Sequence, residues 1–400
     1  MRLLFASLAH HGHVFPLVPL AVAAVRAGHR VGYATGGALH PVLARTGLEP
    51  VRVGPTLPEA FERVGGGDFG ERVRRGELSP DQIAVHVAEV FGSVLPRRFL
   101  ADLEPVLARF RPDLVVYDAV CVGAGAAAGR AGVPAVAHGL GHRDLTALTP
   151  EYVARVGEFA AEAGVAPPAG ARTPLGHTYL DVYPPSMQDP DFVAHADRIV
   201  LRPVAFAPPG AAPPRLRLAD RRRPLVYLTL GTEAGADDGH GVLRAAIDGL
   251  STLDADVLVA TGPKLAVADI GPVAANVLLE QWVPQARLLP HLDLAVHHAG
   301  AGTTLAALGA AVPQLVLPRA ADQFVNAGAL LAAGAAERLL PHQVSASAVA
   351  AAADRLLTGV SVRLAAERIA AEIATMPSPE AVAAILPGLA RQPPGRTDRV

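Results

Sequence analysis

One pattern, met twice, constrains this chain more than any other feature. Short runs of β-branched and aliphatic residues alternate with Ala-rich helical runs, first from Arg2 to Ala137 and again from Leu225 to Leu317. Apolar runs without polar alternation read as strands buried on both faces, and the helices between them supply the crossovers that parallel strands need. The expected fold class is therefore α/β, with two doubly wound parallel sheets of Rossmann-like type. In the first series the predicted strands are Arg2–Leu8, Arg30–Thr35, Glu49–Val53, Asp113–Tyr117 and Pro134–Ala137, with a helix from Pro16 to Ala27 that stops at Gly28. In the second they are Leu225–Leu230, Val257–Thr261, Val277–Glu280, Leu294–His297 and Gln314–Leu317. Residues 55–100 and 140–200, rich in Pro and Gly, read as less regular loops.

Between Arg202 and Pro224 the composition shifts to Pro, Ala and Arg, including Pro208-Pro209 and Pro213-Pro214, without periodic apolar positions. That stretch reads as a linker. The expected organisation is an N-terminal domain over 1–201, a linker over 202–223, a C-terminal domain over 224–375 and a segment 376–400 that crosses back and ends in a mobile tail. Two such domains predict a central cleft at the carboxyl ends of their strands, where sheets of this kind bind ligands.

Composition narrows the function. Of 400 residues 51% are hydrophobic, and 35 Lys+Arg balance 37 Asp+Glu, so neither a disordered chain nor a nucleic-acid binder fits. A single cysteine, Cys121, forbids an intrachain disulfide and any multi-Cys zinc site. The uncharged stretch Leu294–Pro318 is long enough to resemble a membrane span. Its glycines, Pro313 and the pair His297-His298 argue against one. The run Leu3–Ala9 lacks the flanks of a secretory signal and reads as a buried strand. A cytoplasmic enzyme is the expectation.

The most informative stretch follows the strand Leu294–His297. His298-Ala299-Gly300-Ala301-Gly302-Thr303-Thr304 leads into a helical run, so backbone N–H groups and a helix N-terminus are offered to an anion, with Thr303 and Thr304 as caps. A phosphate or diphosphate is the natural guest, and His298 is placed to give it a hydrogen bond or a positive charge. Upstream, Trp282, the only indole, offers a face for a nucleobase, with core packing as the competing reading. Downstream, Asp322-Gln323 offers an acceptor and an amide suited to sugar hydroxyls, with helix capping as the alternative. In the other half, His13 lies between the first strand and first helix, where it is available as a base. Asp118, ending another strand, is placed to hold its second ring nitrogen, although His10 and His11 lie close enough to be confused with it.

Together these residues resemble the donor-binding region of family 1 glycosyltransferases of GT-B fold, in the bacterial natural-product (antibiotic and polyketide) branch. The matching run is Gln281-Trp282-Val283-Pro284-Gln285, then Asp293 to Thr304, then Gly309-Ala310-Ala311-Val312-Pro313-Gln314, then Asp322-Gln323 and Asn326. Gly12-His13-Val14-Phe15-Pro16 and Leu228-Thr229-Leu230-Gly231-Thr232 match the family's first loops in the two domains. The resemblance is weakest at 55–100 and 140–200. It implies an N-terminal acceptor-binding and a C-terminal nucleotide-sugar-binding domain. Trp282 would stack on the base with Gln285 beside the nucleoside. Thr232, His298, Gly300, Gly302 and Thr303 would face the diphosphate, Asp322 and Gln323 the sugar, and His13 with Asp118 would form the catalytic pair.

Where many users of UDP-sugars carry a glutamate on the ribose hydroxyls, this chain has Ala306. A dTDP-sugar is therefore expected over a UDP-sugar, with no cofactor and no metal. The expected reaction is inverting transfer to a hydrophobic small-molecule acceptor, by a monomer or homodimer. Two other readings keep the fold: a nucleotide-sugar epimerase, and a non-catalytic helper of a partner transferase. Gly123-Ala124-Gly125 as a dinucleotide fingerprint, and Asp189-Pro190-Asp191 or Asp254-Ala255-Asp256 as metal pairs, are weak readings for want of the right flanking elements.

Overall fold

A computed structural model describes residues 1–143, 149–210, 222–232, 239–320 and 322–391. The chain divides into two compact units. The first comprises Met1–Tyr183, Gln188–Arg202 and the chain from Pro377 onward; the second comprises Pro184–Met187 and Pro203–Met376. Residues 211–221 of the expected linker, and all but Arg391 of the expected mobile tail, lie outside the described residues.

The first unit is built on β1 (Arg2–Ala6), β2 (Arg30–Thr35), β3 (Glu49–Arg52), β4 (Leu114–Asp118), β5 (Ala135–His138), β6 (Tyr179–Asp181) and β7 (Arg198–Val200). They run in the order β3-β2-β1-β4-β5-β6-β7, and every pairing is parallel. The second unit carries β8 (Leu225–Thr229), β9 (Asp256–Ala260), β10 (Val277–Glu280), β11 (Leu294–His297), β12 (Gln314–Val316) and β13 (Ala336–Arg338). Its order, β10-β9-β8-β11-β12-β13, repeats the first six places of the other sheet, again all parallel. Central strands such as β4 and β8 are buried at every position, which is why they read as unbroken apolar runs. The Leu294–Pro318 stretch is β11, a helix and β12, and no single described helix is long and apolar enough to cross a membrane.

Residues 55–100 depart from the expectation of irregular loops. They hold helices Leu57–Gly65, Phe69–Arg74, Pro80–Glu89 and the start of Leu95–Phe110. Thr56 with Glu59, and Ser79 with Gln82, form reciprocal capping boxes, and each helix takes a proline in its first turn. Those prolines start helices, because the missing N–H is one that a first turn leaves unbonded anyway. Residues 140–200 likewise contain the helix Pro150–Glu162 and the short strands β6 and β7.

The decoy motifs have packing duties. A Cβ on Gly123 would lie 2.2 Å from the Pro96 carbonyl oxygen and one on Gly125 2.6 Å from the Tyr117 ring, so those glycines let the helix Val122–Arg130 pack closely. Asp189 caps the helix Pro190–His195 by accepting from the Phe192 N–H at 2.7 Å, and Asp191 pairs with Arg172. Asp254 pairs with Arg223 at 3.0 Å.

Candidate active site

In each sheet the strand order reverses direction beside its first strand, between β1 and β4 and between β8 and β11. Connections there leave to opposite sides and open a crevice at the carboxyl ends of the strands. The His13–Asp118 pair and the His298 loop lie at these two exits.

After β1 the chain turns into the short helix His11–Val14. His10 caps that helix by accepting from the Gly12 N–H at 3.3 Å, and the His11 ring packs edge-on against Phe15 at 5.1 Å. His13 is thereby the histidine of the three that meets Asp118. Its Nδ1 lies 2.6 Å from Oδ2 of the carboxylate that ends β4. Asp118 is fully buried, and its other oxygen accepts from the Val120 N–H at 2.9 Å, so both oxygens are fixed. A carboxylate in this position accepts a hydrogen bond from Nδ1–H, which leaves the lone pair on Nε2, and 18% of the His13 side chain remains exposed to meet a small molecule.

At the second exit, Ala299 takes a left-handed conformation (φ 65°), which costs an L-residue about 1–2 kcal/mol. Two hydrogen bonds hold it there: its N–H donates to Nδ1 of His297 at 3.1 Å, and its carbonyl accepts from Asn326 at 3.1 Å. The turn sets the His298 ring in the space left by two glycines. A Cβ on Gly231 would lie 2.6 Å from that ring, and one on Gly300 2.4 Å from it. A Cβ on Gly302 would meet nothing within 4 Å, so this glycine faces open space. Gly300 therefore serves His298 first, while Gly302 is the glycine that leaves room for a ligand.

One expectation is corrected here. Thr303 and Thr304 do not cap the helix Ala301–Gly309. Gly300 occupies the N-cap without any side-chain bond, both threonines lie inside the helix, and its first-turn N–H groups have no side-chain cap. Thr303 instead donates to Oε1 of Gln285 at 3.2 Å, and Gln285 donates to the Tyr227 hydroxyl at 3.3 Å. Without an anion, the surroundings of His298 favour the neutral ring. Burial, followed by the fields of His297 and Arg319, pushes it down to about 3, and Nδ1 is buried without a hydrogen bond.

Trp282, just after β10, is 40% exposed, so core packing is not its role. Thr232 follows β8 and is half-buried. Asp322 is exposed at the start of the helix Gln323–Ala332 and accepts from Asn326 at 2.9 Å. Gln323 spends its carbonyl oxygen on the N–H groups of Arg319 (2.8 Å) and Ala320 (3.2 Å), which leaves its NH2 group as donor.

Sequence reasoning gave no role to the residues that hold these groups in place. His297 bonds to Gln314 on β12 at 2.8 Å, and burial lowers it to about 4. Gln314, Tyr227 and Asn326 belong to the same scaffold. The signal was available: a polar residue inside an apolar strand needs a buried partner.

The chain matches the family models for the N-terminal and C-terminal domains of erythromycin biosynthesis protein CIII-like proteins, over residues 22–231 and 244–389. It is 35% identical to L-demethylnoviosyl transferase of Streptomyces niveus, covering 96% of this chain and 97% of that protein. Its fold is similar to that of the glycosyltransferase SnogD of Streptomyces nogalater (TM-score 0.75, 27% identity, 98% and 99% covered). It is also similar to that of SsfS6 from Streptomyces sp. SF2575, a glycosyltransferase crystallised with thymidine diphosphate (TM-score 0.76, 25% identity, 97% and 99% covered). Two Rossmann-like sheets with these exits define a glycosyltransferase of GT-B fold. Within that class the chain belongs to the erythromycin biosynthesis protein CIII-like family, a bacterial natural-product branch of the family 1 enzymes.

Proposed function

We propose that the protein is an inverting glycosyltransferase that moves a deoxysugar from a dTDP-sugar to a hydrophobic natural-product acceptor. The observation that carries this reading is the His13–Asp118 pair, a histidine with its lone pair on Nε2 and its other nitrogen 2.6 Å from a buried carboxylate. His13 takes the acceptor's proton as its oxygen attacks the anomeric carbon. The bond from that carbon to the diphosphate breaks on the opposite face, and dTDP leaves with the electron pair. Asp118 stabilises the imidazolium that forms.

The departing diphosphate needs stabilisation where its charge develops. The uncapped amides at Ala301, Gly302 and Thr303 and the open side of Gly302 support that role, with Thr232 nearby in sequence to the same strand exit. A diphosphate also raises the affinity of His298 for a proton, turning its unpartnered Nδ1 into a donor. No step is assigned to a metal ion, and turnover that survives chelation is the expected result. Trp282 stacks on the base beside Gln285, and Asp322 and the Gln323 NH2 group hold sugar hydroxyls. Ala306 and the thymidine diphosphate complex of SsfS6 both support dTDP as the nucleotide. Mass spectrometry with dTDP- and UDP-sugars crossed with aromatic and macrolide acceptors tests the reading. Transfer from UDP donors alone would overturn the nucleotide assignment, and a donor-only product would replace transfer with epimerisation.

A further inference from the structure

Asp322 stands in the N-cap position of the helix Gln323–Ala332, where a carboxylate usually accepts from the N–H groups of the first turn. This one makes no capping bond. Its Oδ2 accepts instead from the side-chain NH2 of Asn326, one turn along the helix, at 2.9 Å. The backbone around it is fixed as well: the Asn326 N–H donates to the Asp322 carbonyl at 2.9 Å, and Oε1 of Gln323 holds the N–H groups of Arg319 and Ala320.

Asn326 is fully buried, and its NH2 group has a second acceptor, the Ala299 carbonyl at 3.1 Å, 27 positions earlier in the chain. A primary amide carries two N–H groups in one plane, so with both engaged the side chain cannot turn toward one partner without losing the other. Ala299 is the left-handed residue of the turn that seats His298. Its N–H donates to Nδ1 of His297, whose Nε2–H is fixed on Gln314 at 2.8 Å. The strain of a left-handed alanine gives this turn two states, held and relaxed, and the bonds at its N–H and carbonyl decide between them. Asp322 is exposed and Ala299 fully buried, and one side chain joins the two.

We infer that Asn326 is a positioning residue that couples the sugar end of the donor site to its diphosphate end. The Asp322 carboxylate, besides meeting the sugar, fixes the Asn326 amide, and through it the turn that carries His298 and leads to the amides of Ala301, Gly302 and Thr303. The inference rests on the proposed donor site and deepens it. Such coupling is reciprocal: sugar at Asp322 and diphosphate at the turn each raise the affinity for the other.

The test is calorimetric binding of dTDP, a ligand without a sugar, to Asp322→Asn and Asp322→Ala, each alone and combined with Asn326→Ala. Both substitutions at Asp322 remove the same charge, but only the first keeps an oxygen for Asn326 to donate to. Asp322→Ala should bind dTDP about five- to tenfold more weakly than Asp322→Asn, and in the Asn326→Ala background the two should bind alike. Equal affinities in the first pair would overturn the coupling, as would a difference that survives Asn326→Ala. Amide exchange over residues 298–301 reads the turn with no ligand present, and thermal midpoints report whether each variant stays folded. Exchange should quicken in Asp322→Ala and Asn326→Ala and stay slow in Asp322→Asn; unchanged exchange in Asp322→Ala would also overturn the coupling. Absence of dTDP binding by the wild-type chain would sink the donor-site reading, whereas exchange decides by itself whether Asp322 holds the turn.

Discussion

At the exit of β1 a histidine meets a buried carboxylate at 2.6 Å, whereas at the exit of β11 the His298 ring sits beside His297 within the field of Arg319. The strand order around the two exits is the same. The residues that leave the strands differ, and with them the chemistry: one exit holds a polarised base, the other a neutral ring and a row of uncapped amides. Topology supplies the place and the exit residues supply the chemistry, so on the proposed reading like sheets within one chain serve unlike halves of one reaction.

The largest expected effect is at the first exit. His13→Ala should lower turnover by about 10²–10⁴-fold, the usual range for a general base, while calorimetry finds dTDP affinity unchanged. If dTDP affinity falls with turnover, the division of labour between the exits is wrong. Asp118→Asn should approach the same loss, since the amide no longer fixes which nitrogen bears the proton.

The next effect separates two glycines of one loop. Gly300→Ala places a methyl 2.4 Å from Nε2 of His298 and should cost both stability and dTDP affinity. Gly302→Ala meets open space in a helix, so it should stabilise the fold by about 0.5–1 kcal/mol while weakening dTDP binding. A melting curve and a titration on each variant read the difference.

Acid should then strip stability from both units. Burial lowers His138, His177 and His297 to about 4 and His298 to about 3, against 6.5 for a free ring. Below pH 6.5 the unfolded chain binds protons that the folded one refuses. Each ring therefore contributes stability that is present above pH 6.5 and lost as pH falls toward 4, at about 1.4 kcal/mol per pH unit. Denaturation midpoints that stay flat from pH 7 to pH 5 would contradict this burial. Diphosphate binding should run the opposite way at the second exit: if it protonates His298, dTDP affinity rises as pH falls, and calorimetry in buffers of different ionisation enthalpy detects the proton taken up.

The smallest effect concerns the nucleotide. Ala306 is half-buried against the apolar cluster that includes Tyr227 and Leu225. Ala306→Glu should shift the ratio of UDP- to dTDP-sugar use by less than about tenfold, because the new carboxylate gains a ribose hydroxyl only at the edge of a packed surface.

Much of this was legible in the sequence, and the gaps have physical causes. Ten strands could be read, nearly all as apolar runs flanked by turn residues, with the edge strand Glu49-Pro50-Val51-Arg52 the polar exception. The three-residue strands β6, β7 and β13 were not: unlike β12, whose apolar run continues through Leu317, Tyr179-Leu180-Asp181, Arg198-Ile199-Val200 and Ala336-Glu337-Arg338 are short and interrupted by charge, and are strands only by virtue of the neighbour they pair with. The helices after Thr56 and Ser79 were hidden by prolines that look like breakers until their place in the first turn is known. At the candidate site, residue types at strand ends were readable. Which atom each spends on its neighbours was not, as Gln323 and Gly300 demonstrate, because that depends on contacts between segments distant in sequence.

The helix Pro379–Leu389 packs on the helix Val18–Arg26, burying Val382, Ala383 and Leu386 in the first unit. The polypeptide therefore begins one unit, makes the other, and returns to finish what it started. During synthesis the second unit has all its residues as soon as Met376 has left the ribosome, but the first waits until residue 389 with an apolar helix face uncovered. The part of the enzyme made first is the last to be completed, and a nascent chain is most exposed to aggregation and proteolysis over its N-terminal half.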